Sequence, residues 1–372
     1  MKYDIILKNG RIWNGYEFRK EVDSIAVKDG KITAIGKDFD DATTIFNVNG
    51  AIISPGLVDI HTHMKGISSD SFGIPAETVC FPFGVTTAVE AAASKLDGKI
   101  LLDNMLLGTY VFAWSVFENG KFNANKTQEI IDAYGEKVVG VKLFFDTSNP
   151  FVNDISPLRE VCDFAHSQNL KVLVHSTGSP VQMCKLLNTL SEGDICTHIF
   201  HGGKNNVSED NFACIKNARA GGVIIDNGMA GGVHTDFTVV KHAIENGVFS
   251  DTISTDITKL SAFRRGGNYG LTLCMSVMRE LGMTEKQVLR AVTYSAAKAI
   301  DKEHFLGTLD IGKRADIAVL DYGKNHFEIY DAYSNKKVSG ENGYTNFLTI
   351  CGGEIVYRTN SSRMIQENYN AR

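Results

Sequence analysis

The chain has 372 residues, 43% hydrophobic and 22% charged, with 43 acidic against 38 basic side chains and a formal net charge of −5. That length buries a large core and predicts one large domain with a smaller one attached. An acidic balance without a long Lys/Arg run argues against nucleic acid or an anionic membrane surface as partner.

In chain order, the N-terminal "MKYDIILKNGRIW" alternates and carries charges, unlike a secretory signal. The first fifty residues read as β-rich runs, "YDIILKNGRIWNG", "DSIAVKDGKITAIGKD" and "TTIFNVNGAIIS". They are broken at Asn9-Gly10 and Asp29-Gly30, dipeptides that supply the positive φ of tight hairpins. The middle alternates apolar runs with amphipathic segments. Eight such runs stand out, at 56–61, 84–91, 109–115, 138–145, 170–176, 194–200, 222–228 and 252–257. Between them lie helical patterns such as "PLREVCDFAHSQN" and "SPVQMCKLLNTLSEG". The C-terminal end returns to the β-rich style in "ADIAVLDYG" and "FLTICGGEIVYR". The expected architecture is α/β: a (β/α)8 TIM barrel over 53–311, with a small β-sandwich domain built from both chain ends, 1–52 and 312–372. A doubly wound sheet is the alternative, but no Gly-rich phosphate turn follows the first run. Seven cysteines occur with no CxxC pair, and no apolar stretch reaches the ~18 residues of a transmembrane helix. Free thiols in a cytoplasmic protein are the expectation.

In a barrel of this kind chemistry gathers at the C-terminal ends of the strands. The first run ends "PGLVDIHTHMK", which puts His61 and His63 on one face. The fourth carries Lys142, the fifth His175, the sixth His198 and the eighth Asp256, whereas the second, third and seventh offer no comparable ligand. Taken singly, each has a plainer reading. A strand-end histidine is more often a hydrogen-bonded core residue, Lys142 can pair with Asp256, and Asp256 can cap a turn. Taken together, they form the donor set of a metal centre, since imidazole and carboxylate suit zinc-like divalent ions. A buried lysine loses proton affinity. Once neutral it can take up carbon dioxide, and the resulting N6-carboxylysine is an anionic ligand able to bridge two metals. Asp256 is then both a metal ligand and the catalytic group that takes a proton from water.

The "PGLVDIHTH" run, Lys142, His175, His198, Asp256 and the tail "GTLDIGKRADIAVLD" resemble the amidohydrolase superfamily, in its dihydroorotase-like branch. The resemblance covers essentially the whole chain. It implies two divalent metals, zinc by default, with His61, His63 and Asp256 on the more buried one. Lys142 would bridge as a carbamate, with His175 and His198 on the second metal. It also implies cleavage of amide or ester bonds by metal-bound hydroxide. Three departures narrow the branch. Where dihydroorotases have HxHxR, this chain reads His61-Thr-His63-Met64-Lys65; where they follow the last Asp with His-Ala-Pro, it reads Asp256-Ile-Thr. Deaminases place a Glu three residues after the fifth-strand His, and here that position is Gly178. The order "VGVK", "THIFHGGKNN" and "STDI" is similar to that of the amidohydrolase/deacetylase group, which implies hydrolysis of an acyl ester or amide of a small carboxylate.

Specificity is expected from the strand-end loops. Lys65, His201, Lys204, Asn205, Arg264 and Arg265 are the candidates for substrate contact, Arg being suited to planar carboxylates. For each alone a solvated surface side chain is the plainer reading. His166, His242, His304 and His326 read as surface residues and His234 as a loop residue. The partner is a small-molecule substrate, and a homo-oligomer is left open. A cyclic amidohydrolase, an adenine-type deaminase and a non-catalytic scaffold are the alternatives.

Overall fold

The structure, a computed structural model, describes residues 2–37, 39–264, 269–360 and 364–368. Seven of the eight apolar runs form one parallel sheet. Its strands are Leu57–Thr62, Val85–Ala93, Gly108–Trp114, Val138–Phe144, Lys171–His175, Ile195–Thr197 and Ile224–Ile225, each paired with the next in chain order. These runs are buried almost without interruption, as strands of a parallel sheet covered on both faces must be. The period-two alternation assigns the faces. Val58, Ile60, Val89, Phe112, Leu173 and Ile195 pack with Ala296, Ala297 and Ile300 of the helix Tyr294–Ala299 and its end. Leu173 and Ile195 stand two residues before His175 and Thr197 and so share their face, which puts this cluster beneath the strand-end residues.

The eighth run departs from the expected strand. Segment 252–257 is tied to one sheet edge by the parallel bridge Asp226–Thr252 and to the other by Thr62–Ile257. The sheet therefore curls so that its two edges meet through this segment. A regular ladder does not form because Asp256 takes a left-handed conformation, φ 47°. The predicted helices form at Ser156–Ser167 and, shortened to one turn, at Met183–Leu187. The first buries Leu158, Val161, Cys162 and Ala165, an i, i+3, i+4, i+7 stripe.

Among the described residues both chain ends enter a nine-stranded sheet, joined where Ile52–Pro55 pairs antiparallel with Ile317–Tyr330 and parallel with Tyr3–Trp13. Its core is Ile5, Leu7, Ile12, Ile25 and Val27 from one end with Ile317, Val319, Leu348 and Ile350 from the other. Asp29-Gly30 forms the expected two-residue turn, with φ 50° and 73°. Asn9-Gly10 does not. It is a bulge inside Tyr3–Trp13, where the strand exchanges the partner Ala42–Asn47 for Ile52–Pro55. Glycine is needed there because a Cβ on Gly10 would lie 2.3 Å from Ile53 Cδ1. All seven cysteines are free, and among the described residues no helix is long and apolar enough to cross a membrane.

The two ends lock together at Gly30 and Gly353: Gly353 has φ 86°, and a Cβ on it would sit 2.5 Å from Gly30 Cα. Ala315 bridges the same pair, donating its N–H to the Gly30 carbonyl and accepting from the Gly353 N–H. Gly353→Ala should therefore destabilise the chain by at least about 1–2 kcal/mol, the cost of a left-handed Cβ. Urea unfolding checks this, and an unchanged midpoint would mean that the turn relaxes freely.

Candidate functional site

The sheet and the Thr252–Ile257 segment bring the strand-end residues together. His61 and His63 approach Asp256 Oδ1 through their Nε2 atoms at 3.4 and 3.0 Å, and His198 Nε2 lies 3.8 Å from Asp256 Oδ2. One ligand atom each from His61, His63 and Asp256 lies within 4.8 Å of the others. His175 and His198 have ring centroids 4.5 Å apart. Lys142 lies near both groups, close enough for its charge to act on His61, His175 and His198 alike. All six residues of the expected donor set thus share one site.

The rings are aimed from behind. His198 directs Nδ1 to the Gly228 carbonyl at 2.7 Å, which places the proton there and leaves Nε2 a lone pair. His61 Nδ1 lies 3.1 Å from Thr197 Oγ1, and Thr197 in turn donates to Asp226 Oδ2 at 2.7 Å. With its proton committed to Asp226, the Thr197 oxygen accepts from His61, so His61 Nε2 also faces inward unprotonated. His63 Nδ1 faces Glu90 Oε1 at 3.3 Å. Carboxylates and carbonyls placed behind metal-binding imidazoles orient them in this way.

Electrostatics agree with the geometry. Burial, with Lys142 and the other histidines adding to it, holds His61, His175 and His198 well below the ordinary imidazole range, so all three are neutral. Burial lowers His63 too, but hydrogen bonds to Asp256 and Glu90 outweigh it and lift the group to about 9. Burial brings Lys142 down to about 8 against the pull of Asp256 and Asp226. The Lys142–Asp256 salt bridge does not form: Lys142 Nζ is buried with no hydrogen-bond partner. His175 Nε2 is likewise buried without a hydrogen bond, with Asp146 Oδ2 3.8 Å away. Three uncharged inward imidazoles, His63 against an adjoining carboxylate and a buried amine without a hydrogen bond are a donor set that fits divalent cations of the zinc type.

The loop candidates separate. His201 is fully buried near His175 and Asp146. Asn205 is committed to the fold, its Nδ2 donating to the Ser179 carbonyl and its N–H to Glu209. Lys65 and Lys204 are exposed. Arg265 and the Arg264 side chain lie outside the described residues. Three readings of the sequence need correction. Run two does contribute: Glu90 is fully buried, accepts from the backbone of Met64 and Ala92, and faces His63. A lone glutamate in the apolar "TTAVEAAA" was the available signal. His234 is no ordinary loop residue, because its ring centroid lies 4.3 Å from His198 and 4.9 Å from His175. His166 is half-buried against Asp194, not a surface residue.

Asp59 makes a separate, structural contribution. It accepts from Thr255 N–H, Thr255 Oγ1 at 2.6 Å and His61 N–H. Burial raises it to about 7 in spite of those bonds. A carboxyl whose folded value lies above its unfolded one stabilises the fold fully below pH ~4, and that contribution is lost as pH rises to about 7. Asp59→Asn escapes the ionisation cost. The stability difference between variant and wild type should therefore move in the variant's favour by a few kcal/mol between pH 4 and 7, then level off. Paired denaturant titrations at several pH values measure this, and a pH-independent difference would show that Asp59 ionises normally.

The comparisons with known proteins follow this geometry. The model of the amidohydrolase family matches residues 52–356. A protein of Enterococcus faecalis named deacetylase is 26% identical over 95% of this chain and 99% of its own. The crystal structure of a dihydroorotase superposes with TM-score 0.82 at 24% identity, over 94% of this chain and 98% of the other. That of an adenine deaminase superposes with TM-score 0.84 at 22% identity, over 96% and 100%. At these identities the structural likeness is one of fold.

Proposed function

The chain belongs to the amidohydrolase family and is a hydrolase of C–N bonds, and we propose that it is a binuclear metal enzyme that removes an acyl group, acetyl above all, from a small carboxylate-bearing amide or ester. The observation that carries this reading is the pairing of His61, His63 and Asp256 with His175 and His198 across the buried, unpaired Lys142. We read the curled sheet as a closed (β/α)8 barrel over 53–311, and the two ends, 1–52 and 312–372, as a β-sandwich attached to it. The deacetylase-named relative of nearly equal length supports acyl removal over ring opening or deamination. A cytoplasmic location suits the free cysteines.

His61, His63 and Asp256 would hold one divalent ion, zinc by default, and His175 with His198 a second. Such ions supply Lewis acidity and water acidified to near neutrality. Lys142 at about 8 has a neutral fraction at physiological pH. That amine adds to carbon dioxide, losing one proton, to give a carbamate between the two groups. Asp256 sits between His63 and His198. It accepts the proton of the attacking water and returns it to the leaving nitrogen or oxygen as the acyl–heteroatom bond breaks. No nucleophilic Ser or Cys is required.

His201 is our candidate for substrate recognition. Gly203 N–H donates to His201 Nδ1 at 3.2 Å, which puts the ring proton on Nε2. Burial lowers His201 to about 4, so the ring is neutral, and Nε2–H is buried without an acceptor. A donor left so costs about 1–3 kcal/mol until a ligand oxygen meets it. Gly202 allows the close turn: a Cβ there would strike Asp236 Oδ2 at 2.4 Å and Tyr333 Cγ at 2.8 Å.

Protein produced with bicarbonate should carry about two divalent ions per chain, falling to one or none in Lys142→Ala. Elemental analysis decides this, and an unchanged value would make Lys142 structural. On a panel of acetylated amino acids and acetyl esters, acetate release with no ammonia identifies the deacetylase, and ammonia from aminopurines the deaminase. With the best substrate found, His201→Phe should lower kcat/KM about 5- to 100-fold with metal content unchanged, and His201→Gln should recover part of the loss. Equal rates for all three would remove His201 from the site.

A further inference from the structure

The structure assigns one histidine more to the metal centre than the paired strand-end set contains: we infer that His234 is a direct ligand of the second ion, giving that ion three imidazoles from His175, His198 and His234. The inference rests on the two-metal reading above and extends it. One ring nitrogen from each of these three residues lies within 4.8 Å of the other two, the same closeness that His61, His63 and Asp256 show. Tetrahedral nitrogens around a zinc-type ion at ~2.0–2.1 Å stand roughly 3.4 Å apart, so small ring rotations close the set. The site then holds two matching tripods rather than one tripod and one pair.

The hydrogen bonds of the fold leave His234 Nδ1 unused. That nitrogen is buried and has no hydrogen-bond partner. The backbone that delivers it is held firmly. Residues 229 and 230 donate to the carbonyls of Ser254 and Thr255, and Ala230 and Gly231 take left-handed φ values of 49° and 65°. Ala332, from the hairpin formed by Ile317–Tyr330 and Lys337–Cys351, donates to the Gly232 carbonyl at 3.1 Å. A strained turn fastened from two sides brings His234 against His175 and His198. Three neutral imidazoles gain little from one another, but they offer an ion three nitrogen donors beside the Lys142 carbamate. Such a set favours borderline ions such as zinc or cobalt over manganese or magnesium, whereas the His–His–Asp set discriminates less.

The test compares zinc content and zinc affinity, by chelator competition, between wild type and His234→Phe, together with X-ray absorption at the zinc edge of the fully loaded wild type. Wild type should hold two zincs, with five imidazoles shared between them. His234→Phe should weaken one zinc by more than about 100-fold and leave the other unchanged, beyond the 10- to 100-fold typical of losing an orienting partner. Two zincs in both proteins at equal affinity, with four imidazoles shared, would overturn the role of His234 alone. A wild type that binds no zinc would overturn it together with the two-metal reading. The absorption measurement needs no variant, so the outcome stands even where His234→Phe does not fold.

Discussion

Segment 252–257 is anchored by two buried carboxylates in place of a strand ladder, and the site depends on that anchoring. Asp59, on the first strand, takes the N–H and hydroxyl of Thr255. Asp226, after the seventh, accepts from Thr252, Ser254 and Thr197 at 2.7–2.8 Å. Between these clamps the backbone can pass through the left-handed φ of Asp256, a conformation that a chain held only by ladder bonds would avoid. Asp256 N–H then donates to the His61 carbonyl and His63 N–H to the Ile257 carbonyl, so the segment and the first strand fix each other's register. The same Asp226 orients His61 through Thr197. One network therefore positions Asp256, aims His61 and ties the ends of the sheet together.

The network is costly in isolation. Burial raises both Asp59 and Asp226 above the usual carboxylate range, and the hydroxyls around them offset part of that penalty. The inner groups behave in the opposite sense. Burial there lowers Lys142 and His61, His175 and His198, so the centre of the sheet holds three neutral imidazoles and an amine that gives up its proton more readily than usual. A ring of acceptor-rich support around proton-poor donors is unfavourable as a hydrophobic core and suitable as a cation site.

The small sheet also acts on the site. Its long hairpin carries residues 331–336 to the carboxyl-end loops, where Asp331 accepts from Phe237 N–H and Tyr333 covers Gly202-Gly203. The turns bearing His201 and His234 thus pack against the C-terminal part of the chain. The "GKRAD" tail is structural in the same sense: Arg314 reaches Asp316, the Leu106 carbonyl and Cys351 Sγ, joining the sheet to the base of the parallel strands.

Much of this was legible in the sequence. The eight apolar runs and the polar residues that end them pointed to His61, His63, Lys142, His175, His198 and Asp256, because such groups at five strand ends together have fewer plain explanations than any one of them alone. The Asp29-Gly30 turn was equally local, a dihedral requirement written in two residues. What the sequence could not determine was anything that depends on a partner distant along the chain. Asn9-Gly10 is a bulge because the strand changes neighbours, Asn205 is bound into the fold, and Glu90 and His234 reach the site only when strand and loop are placed against His63 and His198. Periodicity reports which face a residue occupies. Which side chains meet on that face is decided by register and by turns fastened across the sheet, and those exist only once the chain has folded.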